Sequence, residues 1–403
     1  MEERHIVSID LGSSKFRICV ARVTEDNVQV IYYKEAPSAG IRAGVVQDST
    51  KVSAFLKKAI EEVENELKVR IMQVVVGCPR SDVKLETASY SLGRRRSCLD
   101  SLVTQEEVDN LLDQACMNYP LDDMSSQILY GFVFQTFSID GLPMGSDPGC
   151  LVGCFGKELQ VNYSGIIGSR RATYAVDTIF NSIGIAIAKK YFLPDVVAQS
   201  VLSDEDRHRG VALVDVGAEV TSVAVYHDGF IRSYSSFPFG GKTVSDEIQA
   251  LCCVPKDLAG KILIQYGSST PGNLFTARED ILSILSQKCY KELTVQYISK
   301  VINAQSRIII NSVMSHIQDS GLNNNLKNGI VLTGGGASLV NLVDLFKEMS
   351  GYDVRIGSPK QAFFSAVGNG VYSPSASSAI CMVLAAKDDR MPDCITRPEP
   401  VWG

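Results

Sequence analysis

The feature that most constrains the fold is a repeat. Residues 6–20 read "IVSIDLGSSKFRICV": a β-rich run, a tight Asp-Leu-Gly-Ser-Ser-Lys turn and a second β-rich run. Residues 211–235, "VALVDVGAEVTSVAVYHDGFIRSYS", follow the same grammar, with a strand ending in Asp-Val-Gly, a short turn and two further strands. Aligning Asp215 with Asp10 gives an offset of 215 − 10 = 205 residues, about half of the 403-residue chain. Taken alone, "DLGSSK" suits an ordinary hairpin as well as a loop shaped for phosphate. Two copies at half-chain offset imply a duplicated domain.

A chain of this length exceeds one compact core and predicts two to four domains. Hydrophobic content of 45% with 21% charge is ordinary for a soluble globular protein. The net charge of −6 argues against a nucleic-acid binder, which carries a basic surplus. The longest basic run, Arg94, Arg95 and Arg96, reads as a solvated loop tip. Eleven cysteines without C-x-x-C spacing predict reduced thiols in a cytosolic protein. The four histidines, at positions 5, 208, 227 and 316, never cluster, which disfavours a histidine metal site. No apolar run reaches the roughly 18 to 20 residues that span a bilayer.

Between the repeats, "TKVSAFLKKAIEEVENELK" predicts a helix with Val52, Phe55, Leu56, Ile60 and Val63 on its apolar face. "IMQVVVGCP" reads as a short buried strand. The stretch 82–165 predicts a small α+β insertion, whose helix at "TQEEVDNLLDQACMNY" starts on an N-cap at Thr104. After the second hairpin the pattern is mostly helical from 246 to 319. "KNGIVLTGGGASLVNLVDLFKEM" follows as strand, glycine turn and helix, and "SSAICMVLAAK" as a last helix.

Two hairpins whose turns face each other can grip the phosphates of a nucleotide from both sides. Gly12, Ser13 and Ser14 offer backbone amides and hydroxyls, and Lys15 a point charge. In the second turn Gly217 and Ala218 keep the backbone accessible and Thr221 offers a hydroxyl. Asp10 and Asp215 end their strands beside these turns, and a carboxylate pair suits Mg²⁺ held through water. Gly334, Gly335 and Gly336 would let an adenine or ribose lie against the backbone, with a helix N-terminus behind them for phosphate.

These segments resemble the phosphate 1, phosphate 2 and adenosine motifs of the actin/Hsp70/sugar-kinase ATPase superfamily. Several more are similar to one branch, the FtsA family of bacterial cell-division proteins: "GIRAGVVQD", "TQEEVDNLLDQA", "FSIDGLPMGSDPGCLVG" with Asp147, Pro148 and Gly153, and "FGGKTVSDEI" with Gly240, Gly241 and Asp246. The resemblance runs over roughly 5–388. It implies an α/β actin-like ATPase fold: duplicated ribonuclease-H-like domains with an α+β subdomain 1C insertion and a helical subdomain 2B. Subdomain 1A would take 1–81, 166–203 and a closing helix at 371–388, with 1C at 82–165. Subdomain 2A would take 204–247 and 320–370, 2B would take 248–319, and 389–403 would be a flexible tail.

The resemblance further implies ATP and Mg²⁺ as cofactors, with Gly240 and Gly241 joining the nucleotide site. It implies a scaffold that polymerises and tethers FtsZ to the inner face of the cytoplasmic membrane at the division septum. Subdomain 2B would hold the acidic FtsZ tail, with Lys288, Lys291, Lys300 and Arg307 as candidate contacts, and 1C would meet other division proteins. In the family, a helix of 2B carries Ala-Glu-x-x-Lys; here Gly260 and Leu263 stand at the Glu and Lys places. The second phosphate loop is bulkier, as Ala218-Glu219-Val220, and Ser222 replaces an acidic residue. Each departure is expected to weaken nucleotide binding, leaving at most a weak ATPase. Glu219 is the one catalytic candidate, as an orienter of water. The tail "KDDRMPDCITRPEPVWG" does not form an amphipathic helix, so the membrane anchor is expected to lie outside this chain. A small-molecule kinase, a PilM-like assembly adaptor and a scaffold without nucleotide remain the alternatives.

Overall fold

The computed structural model describes residues 3–81, 83–95, 101–266, 269, 295–366 and 370–396. Two sheets that share a five-strand topology form its two lobes, and the first carries a sixth, two-residue strand, Ser365–Ala366, beside its third. In the first, Arg4–Leu11, Lys15–Val23 and Val28–Pro37 make an antiparallel meander. Gln73–Gly77 and Ala186–Tyr191 then extend the sheet in parallel on the other side of the opening strand. In the second, Val211–Val216, Thr221–His227 and Phe230–Phe237 make the meander, and Ile330–Thr333 and Val354–Ile356 extend it in parallel. The register is duplicated too. Asp10 faces Arg17 and Asp215 faces Ser222, so both members of the pair are offset by 205 (215 − 10 and 222 − 17).

Burial explains why these strands read as they do. Ile6, Val7 and Ile9 are all fully buried, as a central strand covered on both faces requires. One cover is the helix Ser377–Asp388, apolar around most of its circumference and buried at nearly every position. The other includes Ser49–Leu67, started by Asp48, whose carboxylate accepts from the Lys51 N–H at 2.9 Å, and ended at Lys68 in the left-handed region. This helix buries Val52, Leu56, Ala59, Ile60 and Val63. Phe55, expected with them, is 42% exposed. At 100° per residue it projects about 80° from the centre of the buried stripe, on its shoulder.

Residues Lys84–Gly93, Gln127–Ile139, Leu142–Gly145 and Glu158–Ser169 form a separate four-stranded antiparallel sheet. Its cover is the helix Gln105–Met117, where Thr104 and Glu107 complete a reciprocal capping box. Val108, Leu111 and Ala115 pack there on Phe137, Leu159 and Tyr163. Arg94 corrects the loop-tip reading: its side chain is 1% exposed and forks onto both oxygens of Glu107 at 2.9 and 2.8 Å. The helices Gly241–Cys252, Lys256–Tyr266 and Val295–Asp319 share a core of Val244, Ile248, Ile262, Ile298 and Ile302.

The tail also departs from expectation. The segment read as flexible from 389 stays packed as far as Thr396, because Ile395 and Thr396 pair with Ile71 and Arg70. Cys394 beside them is fully buried and its N–H donates to the His5 carbonyl at 2.8 Å.

Candidate functional site

The two Asp-x-Gly turns meet across a cleft between the lobes. Each needs glycine for the same reason. A Cβ on Gly12 would come within 2.5 Å of the Lys15 carbonyl oxygen, and one on Gly217 within 2.6 Å of the Val220 carbonyl oxygen. Asp10, Gly12, Ser13, Ser14 and Lys15 line the cleft from the first lobe. Asp215, Gly217, Ala218, Glu219, Gly334 and Gly335 line it from the second. Gly334 holds a φ of +83°, where its turn passes over the Asp215 carboxylate.

The remaining candidates stand behind this lining. The buried Thr221 hydroxyl donates to the Phe239 carbonyl at 2.9 Å, so it holds the loop instead of facing the cleft. Gly240 and Gly241 support the second turn from below: the Gly241 N–H donates to Gly217 at 2.9 Å and the Lys242 N–H to Ala218 at 2.7 Å. Gly336 packs on Val216. The glycine turn runs into a short 3₁₀ segment, Gly335–Ser338, and the α-helix starts only at Leu342. The helix N-terminus expected directly behind the glycines is therefore displaced along the chain. Gly260 opens onto empty space, with nothing within 4 Å of the place a Cβ would take, and Leu263 packs on the helical core.

Charge in the cleft is paired throughout. Lys15 reaches Glu35 at 2.6 Å, and Arg17 bridges Glu35 and Asp10, each at 3.2 Å. Burial opposes ionisation of Glu35, yet Lys15 and Arg17 outweigh it and hold that carboxyl below its ordinary range. Glu219, in the second turn, has both carboxylate oxygens engaged. One carboxylate oxygen meets Lys242, and the other accepts from the Ala43 N–H at 2.7 Å. Glu219 thus sits in the cleft as one half of an ion pair with Lys242. The Gly44 N–H donates to the Ser13 hydroxyl at 3.3 Å, so the turn at Ala43 and Gly44 straps the two lobes together over the cleft.

Arg80 is the residue that sequence reasoning missed. Its guanidinium lies 2.7 Å from Asp215 Oδ2 and 3.2 Å from Asp10 Oδ1, and it donates to the Ser378 hydroxyl at 2.7 Å. Burial penalises the charge, but Asp215 and Asp10 outweigh that penalty and raise the guanidinium pKa above its ordinary value. Asp10 and Asp215 thus come together as expected, but with a planar cation between them. These residues do not fit a hydrated Mg²⁺, which demands near-octahedral oxygen ligation in the space that Arg80 fills. Two signals pointed there: Arg17 faces Asp10 in the hairpin register, and Arg80 follows the carboxyl end of a parallel strand, where open α/β sheets place their ligands.

Of the partner candidates, Lys300 and Arg307 are exposed on the helix Val295–Asp319, two turns apart on one face. Arg307 leans on Asn303 at 2.9 Å and Glu348 at 3.7 Å. Lys288 and Lys291 lie outside the described residues. No helix among the described residues is long and apolar enough to cross a membrane.

Residues 212–381 match the family described as "Cell division protein FtsA". FtsA of Neisseria meningitidis serogroup B is 25% identical over 388 residues, covering 96% of this chain and 91% of its own length. FtsA of Pseudomonas aeruginosa is 26% identical over 373 residues, covering 91% and 87%. Among solved structures, a PilM–PilN type IV pilus biogenesis complex superposes with a TM-score of 0.61 at 14% identity, over 95% of this chain and 98% of that one. MreB5 of Spiroplasma citri bound to AMPPNP gives 0.56 at 12% identity, over 97% and 98%. At these identities the structural likeness establishes the fold, that of the actin-like ATPases.

Proposed function

Starting from a chain that is similar to the FtsA cell-division proteins and has an actin-like ATPase fold, we propose that it is a nucleotide-binding division scaffold. In this reading ATP enters between the turns at Gly12–Lys15 and Gly217–Glu219, with Gly334 and Gly335 beside the nucleoside. The scaffold assembles with further copies of itself and recruits FtsZ at the septal membrane. The region at 248–319 takes the acidic FtsZ tail, with Lys300 and Arg307 as contacts. The insertion at 82–165 faces other division proteins, and membrane attachment uses a segment outside the described residues. The observation that carries the reading is the duplicated Asp-x-Gly turn, placed by two sheets that share a five-strand topology on opposite walls of one cleft. Pairing of Glu219 with Lys242 removes the repulsion that its carboxylate would otherwise present to phosphate.

Calorimetry tests both halves. The chain should bind ATP, and Gly12→Val, which drives a side chain into the Lys15 carbonyl, should abolish binding. A peptide of the acidic FtsZ tail should bind as well, and Lys300→Glu with Arg307→Glu should weaken it fivefold or more in a salt-dependent way. Peptide affinity indifferent to salt and to both substitutions sinks the recruitment half. ATP affinity unchanged in the Gly12 variant sinks the nucleotide half.

A further inference from the structure

Arg80 is anchored as a structural part, not as a loose surface arginine. It sits in the loop after Gln73–Gly77, on the first lobe, and spans to Asp215 on the second. Its two terminal nitrogens reach both aspartates and the Ser378 hydroxyl, at the first turn of the buried helix Ser377–Asp388. Its backbone is held as well, since the buried Tyr234 hydroxyl donates to the Arg80 carbonyl at 3.2 Å. Arg17 supplies a second guanidinium to Asp10, 3.2 Å from Oδ2.

The surrounding charges balance. Asp10, Glu35, Asp215 and Glu219 are matched by Lys15, Arg17, Arg80 and Lys242, each within an ion pair. A metal added between Asp10 and Asp215 would have to expel a guanidinium that both carboxylates already bind. A phosphate chain added beside it would meet a fixed cation and carboxylates that are already paired, so that no unpaired negative charge opposes it.

We infer that Arg80 takes the place of a divalent metal between Asp10 and Asp215, so that this cleft accepts a polyphosphate without metal. The inference rests on the nucleotide reading given above and specifies how it is met. The positive charge facing the phosphates is covalently part of the protein, and it is held by Asp10 and Ser378 from the first lobe and by Asp215 and Tyr234 from the second.

The test uses the full chain, ATP and two buffers, one containing EDTA and one millimolar Mg²⁺. The dissociation constants should agree within about threefold. In Arg80→Gln, with folding checked by circular dichroism, affinity in EDTA should fall tenfold or more. Mn²⁺ followed by electron paramagnetic resonance serves as a second probe: the unaltered chain should take up none at this site, with or without ATP. Wild-type ATP binding that weakens tenfold or more on chelation overturns the inference and leaves the nucleotide reading standing. So does undiminished EDTA-buffer affinity in the Arg80 variant. Failure to bind ATP in either buffer overturns the nucleotide reading and the ligand half of the inference. The metal half is then decided by Mn²⁺: uptake by wild type that Asp10→Asn removes refutes it, and no uptake supports it. Both wild-type measurements stand even where the Arg80 variant does not fold.

Discussion

Replacing Arg94 by alanine should loosen the inserted sheet. Arg94 donates two hydrogen bonds to the Glu107 carboxylate and others to the carbonyls of Ser101 at 3.0 Å, Gly156 at 3.0 Å and Leu102 at 3.2 Å. It therefore ties the start of the helix Gln105–Met117 to the loop that leads into Glu158–Ser169. Removing one partner of a buried charge pair costs about 3–5 kcal/mol. Glu107 keeps 22% side-chain exposure and can rehydrate, which places the expected loss near the lower end, about 3 kcal/mol. Arg94→Lys retains the charge but cannot fork onto both oxygens or reach three carbonyls, so it should recover only part of the loss. Adding Glu107→Gln to Arg94→Ala should cost little more, because the pair is already broken, and the cycle should give a coupling of about 1–2 kcal/mol. Urea denaturation reads the global cost, and hydrogen exchange over 105–117 and 158–169 locates it. A stability within 0.5 kcal/mol of wild type, a size typical of a solvated surface change, with unchanged exchange would refute the reasoning.

Two further outcomes follow from the packing. Asp206 accepts from the Ser203 N–H at 2.8 Å, Asn328 at 2.9 Å and Arg355 at 2.6 Å. Burial pushes its carboxyl up, but these bonds outweigh that and hold it down at about 2, against 3.8 unperturbed. A depressed pKa stabilises above the unfolded value and is lost as pH falls toward the folded one, so Asp206→Asn should cost about 2 kcal/mol at pH 7 and roughly half that at pH 3. A gap between variant and wild type that stays constant across that range would contradict the assignment. Ending the chain after Asp389 removes the buried Cys394 and the Ile395–Ile71 pairing and should lower stability by about 2–4 kcal/mol. A truncated chain as stable as the parent in urea would show that the tail contributes nothing to the fold.

The repeated hairpins were legible because each is local: alternation, an Asp-x-Gly turn and a second strand lie within about fifteen residues. The N-cap at Thr104 was equally visible for the same reason. Two of the cleft's cations, Arg80 and Lys242, were not. Arg80 reaches Asp215, 135 residues away, and Lys242 reaches Glu219 only once a helix has docked under the second turn. Such contacts depend on how finished sheets and helices assemble, and no window of sequence contains them. Arg94 misled for a related reason. A run of three arginines looks like solvent-facing charge until the partner Glu107 is brought beside it by the fold. The tail misled in the opposite direction, since two residues of strand are too short for any periodicity to announce.

The identical register of the two hairpins has an implication for what duplication permits. In an assembly of two identical chains every side chain occurs twice, so an arginine facing one aspartate is necessarily mirrored at the other. Here the position equivalent to Arg17 is Ser222, and only Asp10 is flanked by two guanidinium groups, which already repel each other. A third and fourth would crowd the same few ångströms with uncompensated positive charge. Joining both halves in one polypeptide lifts the twofold constraint, and each copy is free to carry a different side chain at the same place in the same turn. The asymmetry of the cleft is thus a property that only a fused pair of lobes, and not a symmetric dimer of them, can encode.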